Sequence, residues 1–471
     1  MNQLGINRRT FLHRAGLNVG TAALASLLKA DPLKALGTPS GVAGLPQLVA
    51  KAKRVIFLCM AGGPSHLETF DYKPALAALD GKPMPESYTK GQPIAQLQGT
   101  ALKCQGPMTS FQRYGQSGQV ISDFLPWHAK MADEIAVVRS MVTEQINHDP
   151  AHTFMNTGTG ISGRPSMGSW VNYGLGSESS SLPGFVVLTS VGGRNPQPIA
   201  SRQWSSGFLP SRYQGVEFQA SGNPVHYVNS PQGVSQEKQG RLIQTINQLN
   251  RHRNQVLRDP EVETRVAAYE MAFRMQMSVP GLMDVADEPD HILDMYGAKP
   301  GEGSYASNCL LARRLAERGV RFIQLYHRGW DHHGDLVKYM NTCCGLTDKP
   351  TWALLTDLKQ RGMLEGTLIV WGGEFGRTPM YQGKGGPGRD HHIKGFSMWL
   401  AGGGVKGGTS YGATDDLGYH SVKDVVHVRD LHATMLHLLG IDHRRFSVPF
   451  QGLDMRLTGV EESRVVSGIL S

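Results

Sequence analysis

Four short stretches of this chain combine carboxylates and imidazoles in ways that bind metal ions or move protons. Residues 62–74 read GGPSHLETFDYKP and offer Ser65, His66, Glu68 and Asp71; residues 327–335 read HRGWDHHGD and offer His327, Asp331, His332, His333 and Asp335. Residues 372–379, GGEFGRTP, contribute Glu374 and Arg377, and residues 388–392, GRDHH, contribute Asp390, His391 and His392. Mixed Asp, Glu and His ligation suits a divalent cation such as zinc, manganese or calcium, with carboxylates supplying charge and imidazoles borderline donors. His332 and His333 are adjacent, so in an extended stretch only one of them faces a common site. His333, on the same side as Asp331, is the expected ligand. Glu374, Asp390 and His391 complete the expected metal set, His391 and His392 being nearly equivalent on sequence grounds.

A fifth stretch, Ile146 to His152, reads INHDPAH. Asp149 is expected as a helix N-cap with Pro150 at the first helical position, which puts His148 at the helix mouth and His152 in the first turn. Backbone donors there favour an anion, so an oxyanion contact and an ordinary capped helix with two solvated histidines both fit. Arg377 has the planar fork that suits sulfate, phosphate or carboxylate, and suits a structural ion pair equally.

The elements needed to position these residues are legible as short apolar runs. Residues 54–60, 135–139, 185–188, 320–326, 367–371 and 396–400 read as buried strands, several ending in a polar motif. Helices are expected over 307–318, 352–361 and 428–439, the last closed by Gly440, and a polar helical insertion over about 232–300, with Pro260 and Pro280 as punctuation. Helices alternating with strands predict an α/β fold, a doubly wound, largely parallel sheet flanked by helices, with ligands at the carboxyl ends of the strands.

Composition narrows the function. Among 471 residues, 18 % are charged, below the ordinary fraction, which excludes a disordered or coiled-coil chain. Most of the net charge of +8 sits before residue 55, where Arg8, Arg9, Arg14, Lys29, Lys34, Lys51, Lys53 and Arg54 face one acid, Asp31. The remainder is near neutral and carries no basic stripe for nucleic acid. Arg8-Arg9 ahead of an apolar stretch from Ala15 to Leu28 predicts a twin-arginine signal peptide over residues 1–37, too short and glycine-rich for a stable membrane span. Residues 38–471 then form one domain exported to the periplasm or beyond. The five cysteines form no disulfide or zinc-ribbon pattern, and Cys343-Cys344 reads as structural. The glycine run at 402–408 lacks P-loop spacing, no G-x-S-x-G elbow is present, and His432 and His437 read as structural helix residues.

In order and content, these motifs resemble the alkaline phosphatase and sulfatase superfamily, and more closely an exported bacterial branch of it whose domain has no assigned function. The resemblance rests on GGPSHLETFDYKP, NHDPAH, PSMGSWVNYGLG with LPGF, GWDHHGD, GGEFGRTP, GRDHHIKGFSMWLAGGGVKGG, and TDDLGY leading to VHVRDLHATMLHLLGID, and it covers nearly the whole chain. It implies a metal centre at the sheet's carboxyl edge and hydrolysis of a sulfate or phosphate ester. Asp331 and His333 resemble that superfamily's first Asp/His ligand pair, shortened by two residues, and His391 its late single histidine. Glu374-Phe375 stands where an Asp-His pair is usual, and Ser65-His66 where strand one normally carries a metal-binding Asp. No residue stands in an obvious nucleophile motif; Ser65, Thr143 and Thr153 are the available hydroxyls. A water activated by one metal would serve instead, with His66 or His148 as general acid or base.

The function so implied is an exported metal-dependent hydrolase acting on an anionic small molecule or glycan. A non-catalytic member that uses the same edge to bind an anionic glycan or a partner protein is the alternative, and a purely structural metal a third.

Overall fold

The computed structural model describes residues 41–194, 196–219, 236–257, 260–383 and 385–471. The signal peptide expected at residues 1–37 lies outside the described residues. The described residues divide into two compact units, one comprising residues 236–257 and 260–273, the other residues 41–194, 196–219, 274–383 and 385–471.

The larger unit is organised by nine strands: β1 (Arg54–Ala61), β2 (Ile135–Val142), β3 (Phe185–Arg194), β4 (Val216–Phe218), β5 (Phe322–Trp330), β6 (Thr367–Gly372), β7 (Phe396–Ala401), β8 (Thr409–Tyr411) and β9 (Val426–His427). They form one sheet in the order β8-β2-β7-β6-β1-β5-β3-β4, with β9 further along the outer edge of β2. The central strand β1 is buried from Val55 to Ala61, which explains its unbroken apolar run: a parallel strand covered on both faces has no polar alternation. Its neighbours β5 and β6 run parallel to it, pairing Ile56 with Ile323 and Ile369. Only β7 is antiparallel to its neighbours in this sheet, against β2 and β6. The chain is an α/β protein with a mixed, mostly parallel sheet.

Seven helices are named here: α1 (His148–Thr157), α2 (Met167–Leu175), α3 (Gln236–Leu257), α4 (Pro260–Met283), α5 (Tyr305–Glu317), α6 (Leu336–Gln360) and α7 (Val428–Leu438). Side chains alternate across β1, and its two faces receive different helices. Val55, Phe57, Cys59 and Ala61 join a core with Phe154 of α1, Trp170 of α2 and Met435 of α7. Met60 points the other way with its register partner His327, which packs on Tyr305 of α5. The Ser304 hydroxyl caps α5 by accepting from the Ser307 N–H at 3.1 Å.

Some boundaries depart from the sequence expectation. Strand β5 runs on to Trp330 instead of ending at Tyr326, so His327 lies inside the sheet and not in a loop. Helix α6 begins at Leu336, well before Trp352, and carries Pro350 in its interior. The proline removes one hydrogen bond, but Cys343, Cys344 and Thr347 are buried on the preceding turns and hold the helix together. In the smaller unit, Asn247 of α3 donates to Glu270 of α4 at 3.2 Å.

Candidate metal centre

The carboxyl edge of the sheet gathers side chains from four connections. Asp331 and His333 directly follow β5, Glu374 follows β6, and His148 opens α1 shortly after β2. His391 belongs to a two-residue strand, His391–His392, paired antiparallel with Gly376–Arg377. It precedes β7, and because β7 runs antiparallel its amino end lies at the carboxyl edge of β1, β5 and β6. That reversal is what brings GRDHH to the other motifs.

Asp331 Oδ1 is the centre of the arrangement. It lies 2.9 Å from His333 Nε2, 3.3 Å from His391 Nε2, 3.3 Å from His148 Nε2 and 2.7 Å from Arg377 Nη2. His333 Nε2 and His391 Nε2 are 3.0 Å apart. One ligand atom from each of His148, Asp331, His333 and His391 thus falls within 4.8 Å of the others. The edge of a tetrahedron with metal–ligand bonds of about 2.0–2.1 Å is about 3.3 Å, so the spacing fits a four-coordinate divalent ion.

The hydrogen bonds on the far side of each ring show what these atoms are suited to hold. His333 Nδ1 meets Gln382 Oε1 at 2.6 Å, His391 Nδ1 meets the Ile146 carbonyl at 2.8 Å, and His148 Nδ1 meets Glu374 Oε1 at 2.6 Å. Each partner is an acceptor, so each Nδ1 carries the proton and each Nε2 presents a lone pair. Gln96 Nε2, 3.3 Å from His333 Nε2, is placed to donate to that lone pair. Three lone pairs and a carboxylate oxygen therefore converge on one point, an arrangement that repels itself until a cation fills it.

Electrostatics agree with this reading for Asp331 and His391, while His148 with no cation in the cluster favours its charged form. Burial opposes ionisation of Asp331, but the Arg377 guanidinium at 2.7 Å prevails and holds the carboxyl far below the usual carboxylate range. Burial pushes His391 down to about 4, keeping its ring neutral and able to ligate. For His148 burial acts the same way, yet its bonds to Asp331 and Glu374 prevail and raise it.

Glu374 belongs to a second grouping, with His148 and His152. His148 is shared between the two, and its Nδ1 is engaged by Glu374, so Glu374 serves to orient His148 rather than to join the four-atom cluster. Both Glu374 oxygens accept from the Gly62 N–H, at 3.0 and 3.1 Å. Gly62 has φ +123°, and a Cβ there would sit 2.5 Å from the Asp331 nitrogen, so only glycine lets β1 approach this closely. Burial opposes the charge on Glu374, but His152 and His148 bring it down to about 2.

The remaining expected site residues stand elsewhere. Ser65 donates to Glu68, which Arg389 grips at 2.7 and 2.9 Å, so the strand-one motif forms a buried ion pair outside the four-atom cluster. His66 Nε2 contacts the Gly418 carbonyl at 2.9 Å and is turned away from the cluster. Asp390 accepts from the Gln96 and Leu97 N–H groups at 2.6 and 3.0 Å, and its nearest approach to His333 is 4.0 Å; it anchors the 96–97 loop. Arg377 is fully buried and spends its donors on the Gly62, Gly63 and Arg389 carbonyls and on Asp331, leaving no fork for an external anion. His332 and His392 face away, toward the Gly329 and Tyr419 carbonyls. The α1 cap is Asn147, two residues before Asp149, so His148 is the first helical residue, and neither it nor His152 is a solvated histidine. The Thr153 hydroxyl donates to the Asp149 carbonyl within α1.

Three glutamines were not anticipated. Gln197 donates to Asp331 Oδ2 at 3.0 Å, Gln382 accepts from His333, and Gln382 donates to Gln96 at 3.2 Å. A neutral amide in a loop carries no pattern that marks it in a sequence.

Comparison with known proteins adds context. The PsFucS1 sulfatase from Pseudoalteromonas sp. is similar at 13 % identity, covering 91 % of this chain and 73 % of that one, with a TM-score of 0.33. The lipoteichoic acid synthase LtaP from Listeria monocytogenes is similar at 11 % identity over 91 % and 80 %, with a TM-score of 0.34. The TAB5 alkaline phosphatase, a mutant form with magnesium bound, is similar at 10 % identity over 76 % and 92 %, with a TM-score of 0.29. No curated protein matches the chain. One family model matches residues 52–470, nearly the whole described length, and the chain belongs to that family, the protein of unknown function DUF1501.

Proposed function

We propose that this chain is a metal-dependent hydrolase of sulfate or phosphate esters, exported by the twin-arginine route. The observation that carries the reading is the convergence of three imidazole lone pairs on Asp331 Oδ1, each ring held in the same tautomer by an acceptor behind it. His148, Asp331, His333 and His391 would hold the ion. Bound there, a divalent cation supplies Lewis acidity toward an anionic ester and lowers the pKa of a water to about 7. Export rests on Arg8-Arg9 and the apolar stretch that follows.

The protein's own groups do the positioning. Arg377 neutralises part of the Asp331 charge and ties it to the β1 turn. Glu374 keeps the proton on His148 Nδ1. The Gln96 and Gln382 carboxamides are bonded to each other beside His333. The resemblance in sequence suggests the class, a sulfate or phosphate ester, and the choice between the two is decided by assay.

The test is hydrolysis of 4-nitrophenyl phosphate and 4-nitrophenyl sulfate by the chain after incubation with zinc or manganese. Turnover of either ester, abolished in Asp331→Ala with near-UV circular dichroism unchanged, supports the reading. Failure of the metal-loaded chain to cleave either ester, or full activity in Asp331→Ala, overturns it, and a metal-loaded chain without turnover makes it a binding module.

A further inference from the structure

Helix α1 carries His148 and His152 at one end; its other end opens onto a cavity that the candidate metal centre does not use. At 1.5 Å per residue the two ends are about 14 Å apart along the axis. The cavity has a volume of about 200 Å³ and is lined by Arg164, Arg429 and Arg456, by the rings of Trp170 and Phe208, and by the carboxylate residue Glu461.

The guanidiniums there are short of partners. Among the described residues Arg164 donates only to the Met455 sulfur, at 3.1 Å, and a thioether is a weak acceptor. Arg456, among the same residues, reaches only the Arg444 carbonyl, at 3.5 Å. Neither makes an ion pair among the described residues, with Glu461 or any other acid. Arg429 is held by Glu144 at 2.5 Å and lies over the Phe154 ring, yet its Nε is buried with no partner among the described residues. Gly459 lies beside that Nε: a Cβ built there would be 3.8 Å from it.

Helix electrostatics do not account for the cluster. Arg429 stands in the first turn of α7, the end at which a cation is disfavoured. The carbonyl end of α1 offsets roughly half a charge and Glu144 pairs Arg429, which leaves the Arg164 and Arg456 guanidiniums without an acid among the described residues. Arginine forks are matched to planar or tetrahedral oxyanions, and the Trp170 and Phe208 rings add an apolar wall on the same cavity. The volume lies below the roughly 300–1,000 Å³ of sites for drug-sized ligands, so the occupant is small.

We infer that this cavity is a second binding site, separate from the metal centre, for a small ligand carrying one sulfonate, sulfate, phosphate or carboxylate group on a ring or other apolar body. Arg164, Arg429 and Arg456 take the oxyanion, and Trp170 and Phe208 pack against the body.

Isothermal titration of the full chain with benzenesulfonate, inorganic sulfate and benzyl alcohol tests this. Benzenesulfonate is expected to bind with one-to-one stoichiometry, more tightly than sulfate, and benzyl alcohol not at all. The Arg164→Gln/Arg456→Gln variant should lose at least about tenfold in affinity, while Asp331→Asn should bind as the parent does. Phe208→Ala keeps the arginines and should bring benzenesulfonate down to the affinity of sulfate, a second readout if the double variant folds poorly. Absence of saturable binding by either anion, or binding abolished by Asp331→Asn but untouched by the arginine or Phe208 changes, overturns the inference.

Discussion

His333 Nε2 and His391 Nε2 face each other across 3.0 Å, and each ring already donates from its Nδ1, to Gln382 and to the Ile146 carbonyl. Neither nitrogen can supply a proton to the other, so their approach is explained by something electron-poor between them and Asp331. The surrounding groups are arranged to preserve that condition: burial keeps His391 neutral, and Arg377 keeps Asp331 ionised.

If Glu374 serves His148 rather than the ion, its loss should weaken the site without erasing it. Glu374→Gln leaves an oxygen for the Gly62 N–H but places an amide against His148 Nδ1. Metal affinity, measured by competition with a chromogenic chelator, is expected to fall about 10- to 100-fold. Unchanged affinity would show that the Glu374–His148 contact has no bearing on the site.

Ser65 and Glu68 make the opposite case. Glu68→Gln leaves the Arg389 guanidinium buried without its carboxylate and should cost about 3–5 kcal/mol in urea unfolding. Ser65→Ala removes one hydroxyl donor to the Glu68 carboxylate and should cost about 1.5–3 kcal/mol. Metal content should be parental in Ser65→Ala, and a loss of metal there would return the strand-one motif to the site.

Acid should destabilise the fold through histidines remote from the cluster. Burial pushes both His327 and His432 from the ordinary 6.5 down to about 4. Between those values the unfolded chain binds a proton on each ring that the folded chain refuses, so stability is constant above the upper value and drops as pH falls below it. Each ring contributes about 1.4 kcal/mol per pH unit across that window. Urea midpoints of the parent and His432→Gln from pH 7.5 to 5 should differ in slope by about one proton; equal slopes would contradict the assignment.

Much of this architecture is legible before any coordinates. The apolar runs of β1, β5, β6 and β7 announce a buried sheet, and Asp331, His333 and His391 announce themselves because ligand-type residues sit beside those runs. What residue type does not convey is the partner. Asp390 and His66 look as much like site residues as Asp331 does, yet they are claimed by the Gln96 N–H and the Gly418 carbonyl, groups distant in sequence, and Ser65 is claimed by Glu68, which the distant Arg389 holds. Arg377 reads equally as an anion fork or a structural tie until the Gly62 and Gly63 carbonyls are seen to occupy it. The direction of β7 is equally silent, because an apolar run has the same pattern read either way, and that direction is what delivers His391.

Elemental analysis of the purified chain beside its Asp331→Ala/His333→Ala variant tests the central claim most directly. The account predicts about one equivalent of a divalent transition metal in the parent, or its uptake on adding zinc or manganese, and its absence from a variant that still folds. A parent that stays folded, carries no metal and takes up neither ion would contradict it.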